Sequence, residues 1–304
     1  DAEYGQAMSG VVNAVLRRGS DRFRWDAEVY GGGYLYSDKW RDVDYDSYDW
    51  SPVFSPGDAQ NYQLGASGPL GLPKTYFLAN LRRGVTLGYL RSEFRFAPTD
   101  SNDYQNKLFR PSGDGSHEAL GSSRAWSGLA KLDNRSIPNV NISYQAIANT
   151  IEARAEDWRF HFLPDGRKWQ RTFSIVHGPD WTHTLSPSSY YSIGFRQNYF
   201  DYKDLAYDDM FDPGYDAAGP LQDDPAYEQE SVWLEGVDLG RLQQTTDNRV
   251  LKATFVGRVG RDHQIKLGGE VQSSRLKFGA PGYVLAVGVD SLLRVDSAPP
   301  FLPG

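Results

Sequence analysis

The sequence predicts an all-β chain: an antiparallel up-and-down transmembrane β-barrel, here a partial, open barrel of about nine strands. Three observations point there. Apolar and polar residues alternate with period two, tight turns alternate with long polar loops, and the aromatic share is high (14%, with 19 Tyr and 8 Trp) although only 39% of residues are hydrophobic.

The alternation is the primary signal, because successive side chains of a strand point to opposite faces. Phe23, Trp25, Ala27 and Val29 alternate with Arg22, Arg24, Asp26 and Glu28. The stretch from Val140 through Ile142, Tyr144 and Ala146 alternates with Asn141, Ser143 and Gln145. The same period runs through Tyr191, Ile193 and Phe195 to Tyr199, through Leu251, Ala253, Phe255 and Val259, and through Ile265, Leu267 and Val271. Residues 59–68, 74–95, 119–133 and 168–185 carry weaker versions. Many of these runs exceed the ~9–11 residues with which a tilted strand crosses a bilayer.

Loop lengths alternate as well. Short turns are expected at 68–73, 134–139, 186–189 and 260–263, and long loops at 38–58, 96–117, 157–167, 207–245 and 280–304. An outer-membrane barrel has this asymmetry because tight turns face the periplasm and long loops face outward. A soluble, secreted, carbohydrate-binding β-sandwich is the alternative, although Greek-key connections give no reason for so regular an alternation. If strand 22–37 rises from the periplasm, every later long loop is extracellular.

Composition excludes other classes. No apolar run approaches the ~20 residues of a membrane-spanning helix. The net charge of -7 shows no basic stripe for nucleic acid, and the absence of cysteine excludes disulfide frameworks and thiolate metal sites. No nucleophile stands beside a base, and there is no nucleophile elbow or phosphate loop, so neither an enzyme nor a cofactor is expected. His117, His161, His177, His183 and His263 lack metal-ligand spacing; His183 and His263 read as interfacial. Asp42, Asp44 and Asp46 suggest calcium, but an EF-hand fails because Ser47 and Val53 stand where Gly and Glu are required. No metal site is therefore assigned. Gly31-Gly32-Gly33 is read as a strand segment that permits bending or close approach. Charged residues facing the polar side, such as Arg24, Asp26, Arg196, Lys252 and Glu270, are the wet wall of a polar lumen, a few of them able to pair with an enclosed segment. Aromatics among carboxylates in long loops suit capture of a sugar, peptide or cationic ligand; the candidates are Tyr45, Trp50, Tyr207, Phe211, Tyr215, Tyr227 and Trp233. The competing role for the same rings is packing against neighbouring loops or seating in the interfacial belt.

Neither end reads as a natural terminus, so an internal piece of a longer protein is expected. The opening Ala2-Glu3-Tyr4-Gly5-Gln6-Ala7-Met8-Ser9-Gly10-Val11-Val12-Asn13-Ala14-Val15, running into Arg17-Arg18-Gly19-Ser20, resembles the end of the plug domain of TonB-dependent outer-membrane receptors. The Gly68-Pro69-Leu70 turn before Tyr76-Phe77-Leu78 is similar to that family's turn before an aromatic strand. Trp181-Thr182-His183-Thr184-Leu185-Ser186-Pro187 and His263-Gln264-Ile265-Lys266-Leu267-Gly268-Gly269-Glu270 resemble segments of its large, carboxypeptidase-regulatory-like members. The resemblance implies residues 1–20 as the C-terminal end of a plug and 21–304 as the N-terminal part of the barrel. It further implies a Gram-negative-type outer membrane, lipid as surroundings, an energy-coupling TonB protein reached through missing N-terminal parts, and uptake of an unnamed solute, glycan or peptide. A plug-bearing barrel for adhesion or passive diffusion is the second expectation.

Overall fold

A computed structural model describes residues 16–37, 52–54, 56–223, 232–260, 263–279, 283–285, 292–294 and 302–303. The segment 1–15, most of loop 38–58 with its acidic run, and much of 280–304 lie outside the described residues.

In chain order the strands are β1 (Arg24–Gly32), β2 (Leu35–Ser37), β3 (Pro52–Phe54), β4 (Ala59–Pro69), β5 (Thr75–Leu87), β6 (Arg91–Glu93), β7 (His117–Ala119), β8 (Ser122–Asn134), β9 (Val140–Arg154), β10 (Trp169–Ser186) and β11 (Ser189–Leu205). After a short helix α1 (Gly214–Ala218) come β12 (Leu242–Val259), β13 (His263–Gly279), β14 (Tyr283–Leu285), β15 (Leu292–Arg294) and β16 (Leu302–Pro303). One sheet takes the order β1-β4-β5-β8-β9-β10-β11-β12-β13-β16, and every pairing in it is antiparallel. Each strand between the edges β1 and β16 therefore pairs with its predecessor and successor in the wall. A sandwich would need a second sheet facing the first, which the described residues do not contain, so that alternative falls.

The expected alternation of connections is present. Short connections join β4 to β5, β8 to β9, β10 to β11 and β12 to β13 at one end, and longer ones join β1 to β4, β5 to β8, β9 to β10 and β11 to β12 at the other. Three of the turns use a left-handed residue: Gly71 (φ 81°) and Lys74 (φ 47°), Asn139 (φ 62°), and Gly260 (φ 68°). Two expected strands are shorter than read. Strand 22–37 divides into β1 and β2, and 74–95 into β5 and β6, because β2–β3 and β6–β7 leave the wall and pair as separate ribbons. The strand ends at Gly32, and a Cβ at Gly31 would lie 3.2 Å from the Pro56 carbonyl oxygen, so the close approach there is by the returning loop.

Register decides which side chains share a face, since directly paired residues point the same way. Following Trp25↔Ala66, Leu64↔Leu81, Leu81↔Gly128, Gly128↔Ala148, Ala148↔Ile175, Ile193↔Ala253 and Leu251↔Val271 around the wall traces one apolar face. It carries no charge over 140–150 of β9, 173–185 of β10 or 251–257 of β12, lengths that match a bilayer's hydrocarbon. The opposite face carries Asp26, Arg82, Lys131, Asp133, Asp180, Arg196, Lys252 and Glu270. Its charges are locally paired: Lys131 Nζ lies 3.6 Å from Asp133 Oδ1, and Arg196 Nη2 lies 2.5 Å from Asp180 Oδ2.

The chain enters β1 across that polar face. The Leu16 carbonyl accepts from Lys131 Nζ at 2.9 Å, the Arg18 guanidinium sits 4.7 Å from the Tyr76 ring centroid, and Ser20 Oγ donates to Ser67 O at 3.4 Å. A side chain at Gly19 would collide with the Phe77 carbonyl, so the close crossing over β5 requires glycine there.

A charge placed on the apolar face should therefore be costly. Leu251→Arg is expected to destabilise the intact protein in phospholipid vesicles by about 2–4 kcal/mol, whereas Asn248→Lys on the polar face should cost little. The midpoint of urea unfolding in the two variants measures the difference.

Candidate ligand-facing loop cap

Apolar burial in this molecule is concentrated in the long loops. Phe96, Leu163 and Leu234, from three different loops, form a buried cluster, with Tyr104, Phe162, Leu221, Val232 and Trp233 packed around it.

Loop 155–168 is the keystone. Asp157 caps a short 3-10 turn at Trp158–Phe160 by accepting from Arg159 N at 3.0 Å, and a second turn at Pro164–Gly166 starts on proline. These tight turns drive Phe160 and Leu163 inward and leave Trp158 43% exposed. Backbone bonds join the neighbouring loops to it. Glu93 N donates to His161 O (2.9 Å), Phe96 N to Phe162 O (3.0 Å), Trp233 N to Arg159 O (2.7 Å) and Asp238 N to Gly166 O (2.9 Å). The second and fourth loops also meet directly, where Glu235 Oε2 accepts from Asn102 N at 2.7 Å and from Asn102 Nδ2 at 3.0 Å.

Below this cluster, Glu118 accepts from two buried arginines through one oxygen: Arg167 Nη2 at 2.6 Å and Arg154 Nη1 at 3.1 Å. Burial, followed by the neighbouring Arg154, lowers the proton affinity of Arg167, to a pKa of about 10. Arg154 also lies 4.1 Å from the Trp169 ring centroid, closing the top of the wall with a cation–π contact. Burial likewise pushes the Tyr104 hydroxyl up to about 12, and it holds His161 below its usual value against the opposing bond from Nδ1 to Arg91 O at 2.8 Å.

The structure separates the expected ligand aromatics. Tyr215 is 1% exposed, its hydroxyl accepting from Ala206 N at 2.9 Å and its ring lying under Arg241 at 3.8 Å. It holds the fourth loop together and offers no surface. Tyr207 stands edge-on to it with centroids 4.8 Å apart, and Phe211 is half-buried, its amide bonded to Asp209 Oδ1 at 2.7 Å. Trp233 packs on the shared cluster with Arg159 5.3 Å from its ring centroid. Tyr45, Trp50 and Tyr227 lie outside the described residues. Other rings are more accessible: Trp158, stacked on His161 with centroids 4.3 Å apart, the Tyr34–Tyr89 pair at 6.0 Å, and Phe109. The density of aromatics in Trp158-Arg159-Phe160-His161-Phe162 was the available sequence signal for the first of these. Among the described residues no group of His, Cys, Asp and Glu forms a metal-holding cluster.

No protein-family model and no curated protein matches the chain. Among solved structures, it is similar to the outer membrane transporter YddB from Escherichia coli, with a TM-score of 0.52 and 10% identity over 86% of this chain and 32% of that one. The ferric-catecholate import receptor Fiu from E. coli K12, in an open form, superposes at a TM-score of 0.42 and 10% identity over 96% of this chain and 46% of that one. The chain thus spans about a third of the length of YddB. The likeness to YddB is one of fold: an outer-membrane barrel wall, with the two proteins almost unrelated in residue identity.

Two outcomes follow from the cap. Glu118→Gln leaves Arg167 and Arg154 buried without their shared carboxylate, and should destabilise the cap by about 1–3 kcal/mol, read as faster amide hydrogen exchange over 155–168. His161 binds its proton more weakly folded than unfolded, so its contribution is complete above pH 6.5 and is lost as pH falls through its lowered folded value. Protection of the Glu93 and Phe96 amides should accordingly fall on acidification below that point, and His161→Phe should remove this pH dependence.

Proposed function

We propose that the intact protein is a TonB-dependent outer-membrane receptor that takes up a solute, with residues 21–304 forming part of its barrel and residues 1–20 the tail of its plug. The observation that carries this reading is the wall itself. Its strands are long enough to span a bilayer, one face carries a band free of charge while the other is charged, and short turns at one end oppose interlocked loops at the other. The path of residues 16–20 over the polar face supports a plug, because a segment enclosed by the barrel must reach the first strand from the lumen side. The cap supports a receptor: rigid loops that expose Trp158, Tyr89 and Phe109 suit capture of a glycan, peptide or other small solute by stacking.

In this reading the chain's own work is binding and passage, and no covalent step is called for. The loops hold the solute, the polar wall presents hydrogen-bonding groups along the lumen, and the plug's displacement by the TonB protein opens the path.

The deciding experiment is uptake in cells with and without the energy-coupling protein. The intact protein should be recovered in the outer-membrane fraction, and a strain lacking its own uptake route should require both it and the coupling protein for growth on the limiting solute. Growth that survives removal of the coupling protein points to passive diffusion, and recovery in the soluble fraction overturns the membrane assignment. Trp158→Ala should weaken solute binding by about 1–3 kcal/mol, measured by calorimetry, with no change in outer-membrane recovery.

A further inference from the structure

On the apolar face, near the loop end, the register builds a row of charges. Arg124 pairs with Glu152, Glu152 with Arg171, and Arg171 with Lys203. One step toward the turns lies a row with Arg83 opposite Trp126, Trp126 opposite Thr150, Thr150 opposite Phe173 and Phe173 opposite Asp201. The next row down is Leu81, Gly128, Ala148 and Ile175, free of charge and low in the middle because Gly128 and Ala148 are small.

These rows enclose a depression of about 350 Å³ lined by Arg83, Arg124, Arg171, Lys203, Trp126 and Phe173, with Glu152 and Asp201 the carboxylates among the described residues that line it. Four cations therefore face two anions. Asp201 Oδ1 accepts from Thr245 Oγ1 at 2.8 Å, and Arg171 is held by Asp208 at 2.7 Å, with Glu152 at 3.9 Å. Arg124 and Lys203 form no hydrogen bond or ion pair among the described residues, and Arg83 rests on the Trp126 ring at 5.5 Å. A second depression of about 340 Å³ adjoins the first and shares Arg83 and Trp126 with it. Its remaining walls are almost wholly apolar: Ala27, Val29, Tyr62, Leu64 and Leu81, with Gln63.

We propose that this pair of depressions binds one phosphate-bearing lipid of the outer leaflet, its headgroup on Arg83, Arg124 and Lys203 and an acyl chain along Ala27, Leu64 and Leu81. The proposal rests on the membrane reading above. Unsatisfied guanidinium and ammonium groups at the rim of a charge-free band meet the level at which lipid phosphates lie, and charge-assisted bonds to phosphate are the strong ones. A free phosphate would fill the cationic depression alone. The adjoining apolar groove, joined through Trp126, favours an amphiphile whose head and tail part at that ring.

The test is native mass spectrometry of the intact protein extracted from the outer membrane into a nonionic detergent. Three probes are added in turn: a diphosphorylated acylated glucosamine lipid, its dephosphorylated form, and inorganic phosphate. The phosphorylated lipid should bind one to one, and the dephosphorylated form should bind at least about tenfold more weakly, as loss of charge-assisted bonds requires. R83Q/R124Q/K203Q should lose the same factor, and A27W, which fills the groove, should weaken the lipid without creating phosphate binding. R275Q, on the same face of β13, should bind the lipid as the unaltered protein does. Unchanged affinity in the triple variant with normal membrane recovery overturns the lipid site and leaves the receptor reading standing. Equal weakening by R275Q marks the attraction as non-specific and also overturns it, and displacement of the lipid by inorganic phosphate reassigns the site to the free anion. Absence of the protein from the outer membrane overturns the receptor reading, and this site with it.

Discussion

The backbone hydrogen-bond ladder is the constraint on which the rest of the molecule depends. An unpaired amide or carbonyl is costly wherever water is excluded, and the wall strands from β4 to β12 bond to a neighbour on either side. Joining each strand to the next in sequence satisfies that with the shortest turns, and it fixes one register per pair. A slip of one residue would move every apolar side chain of a strand to the wet face. The ladder between β10 and β11, whose register shifts between Thr184 and Ser186, is also interrupted at Gly178-Pro179, where proline has no amide to donate. There Arg196 reaches across to the Pro179 carbonyl at 3.2 Å and to Asp180, and a Cβ at residue 178 would collide with the Phe195 carbonyl.

Because the wall is one layer thick, it has no core in the usual sense. Large apolar side chains such as Leu64, Ile193, Leu251 and Val271 stay exposed on one face, each between 44% and 70% accessible. Such a surface is at home only against another apolar medium. The packing that orders a soluble domain is moved to the loop end, where Phe96, Leu163 and Leu234 meet. Hydrophobic burial therefore organises the cap, while pairing and register organise the wall.

The cap is stiffened by polar groups that are buried, such as Arg167 and Glu235, or half-buried, such as Glu118. Glu118 draws together the end of β9 at Arg154 and the loop at Arg167, while Glu235 ties the second loop to the fourth. Buried ions of this kind add little net stability but fix one arrangement of loops, because any other leaves a charge unpaired. At 10% identity to YddB, what the two proteins share is the fold.

The sequence by itself determined the wall. Period two in segments such as Phe23–Val29 and Leu251–Val259 marks strands because side-chain direction follows from covalent geometry alone, and the alternation of turns with loops followed from residues such as Gly71, Asn139 and Gly260. Local chemistry could not decide where strands leave the wall. β2 and β6 continue the alternation of β1 and β5 yet pair elsewhere, and that depends on which partner is within reach. Nor could it sort the loop aromatics. Tyr207, Phe211, Tyr215 and Trp233 look alike in sequence, but Tyr215 is sealed beneath Arg241 and Trp233 packs against Phe160, whereas Trp158 remains open. The same holds for Arg83, Arg124 and Lys203, far apart along the chain and gathered only by cross-strand register. Strand faces are written in neighbours along the chain; sites are written in neighbours across it, and only the folded sheet supplies those.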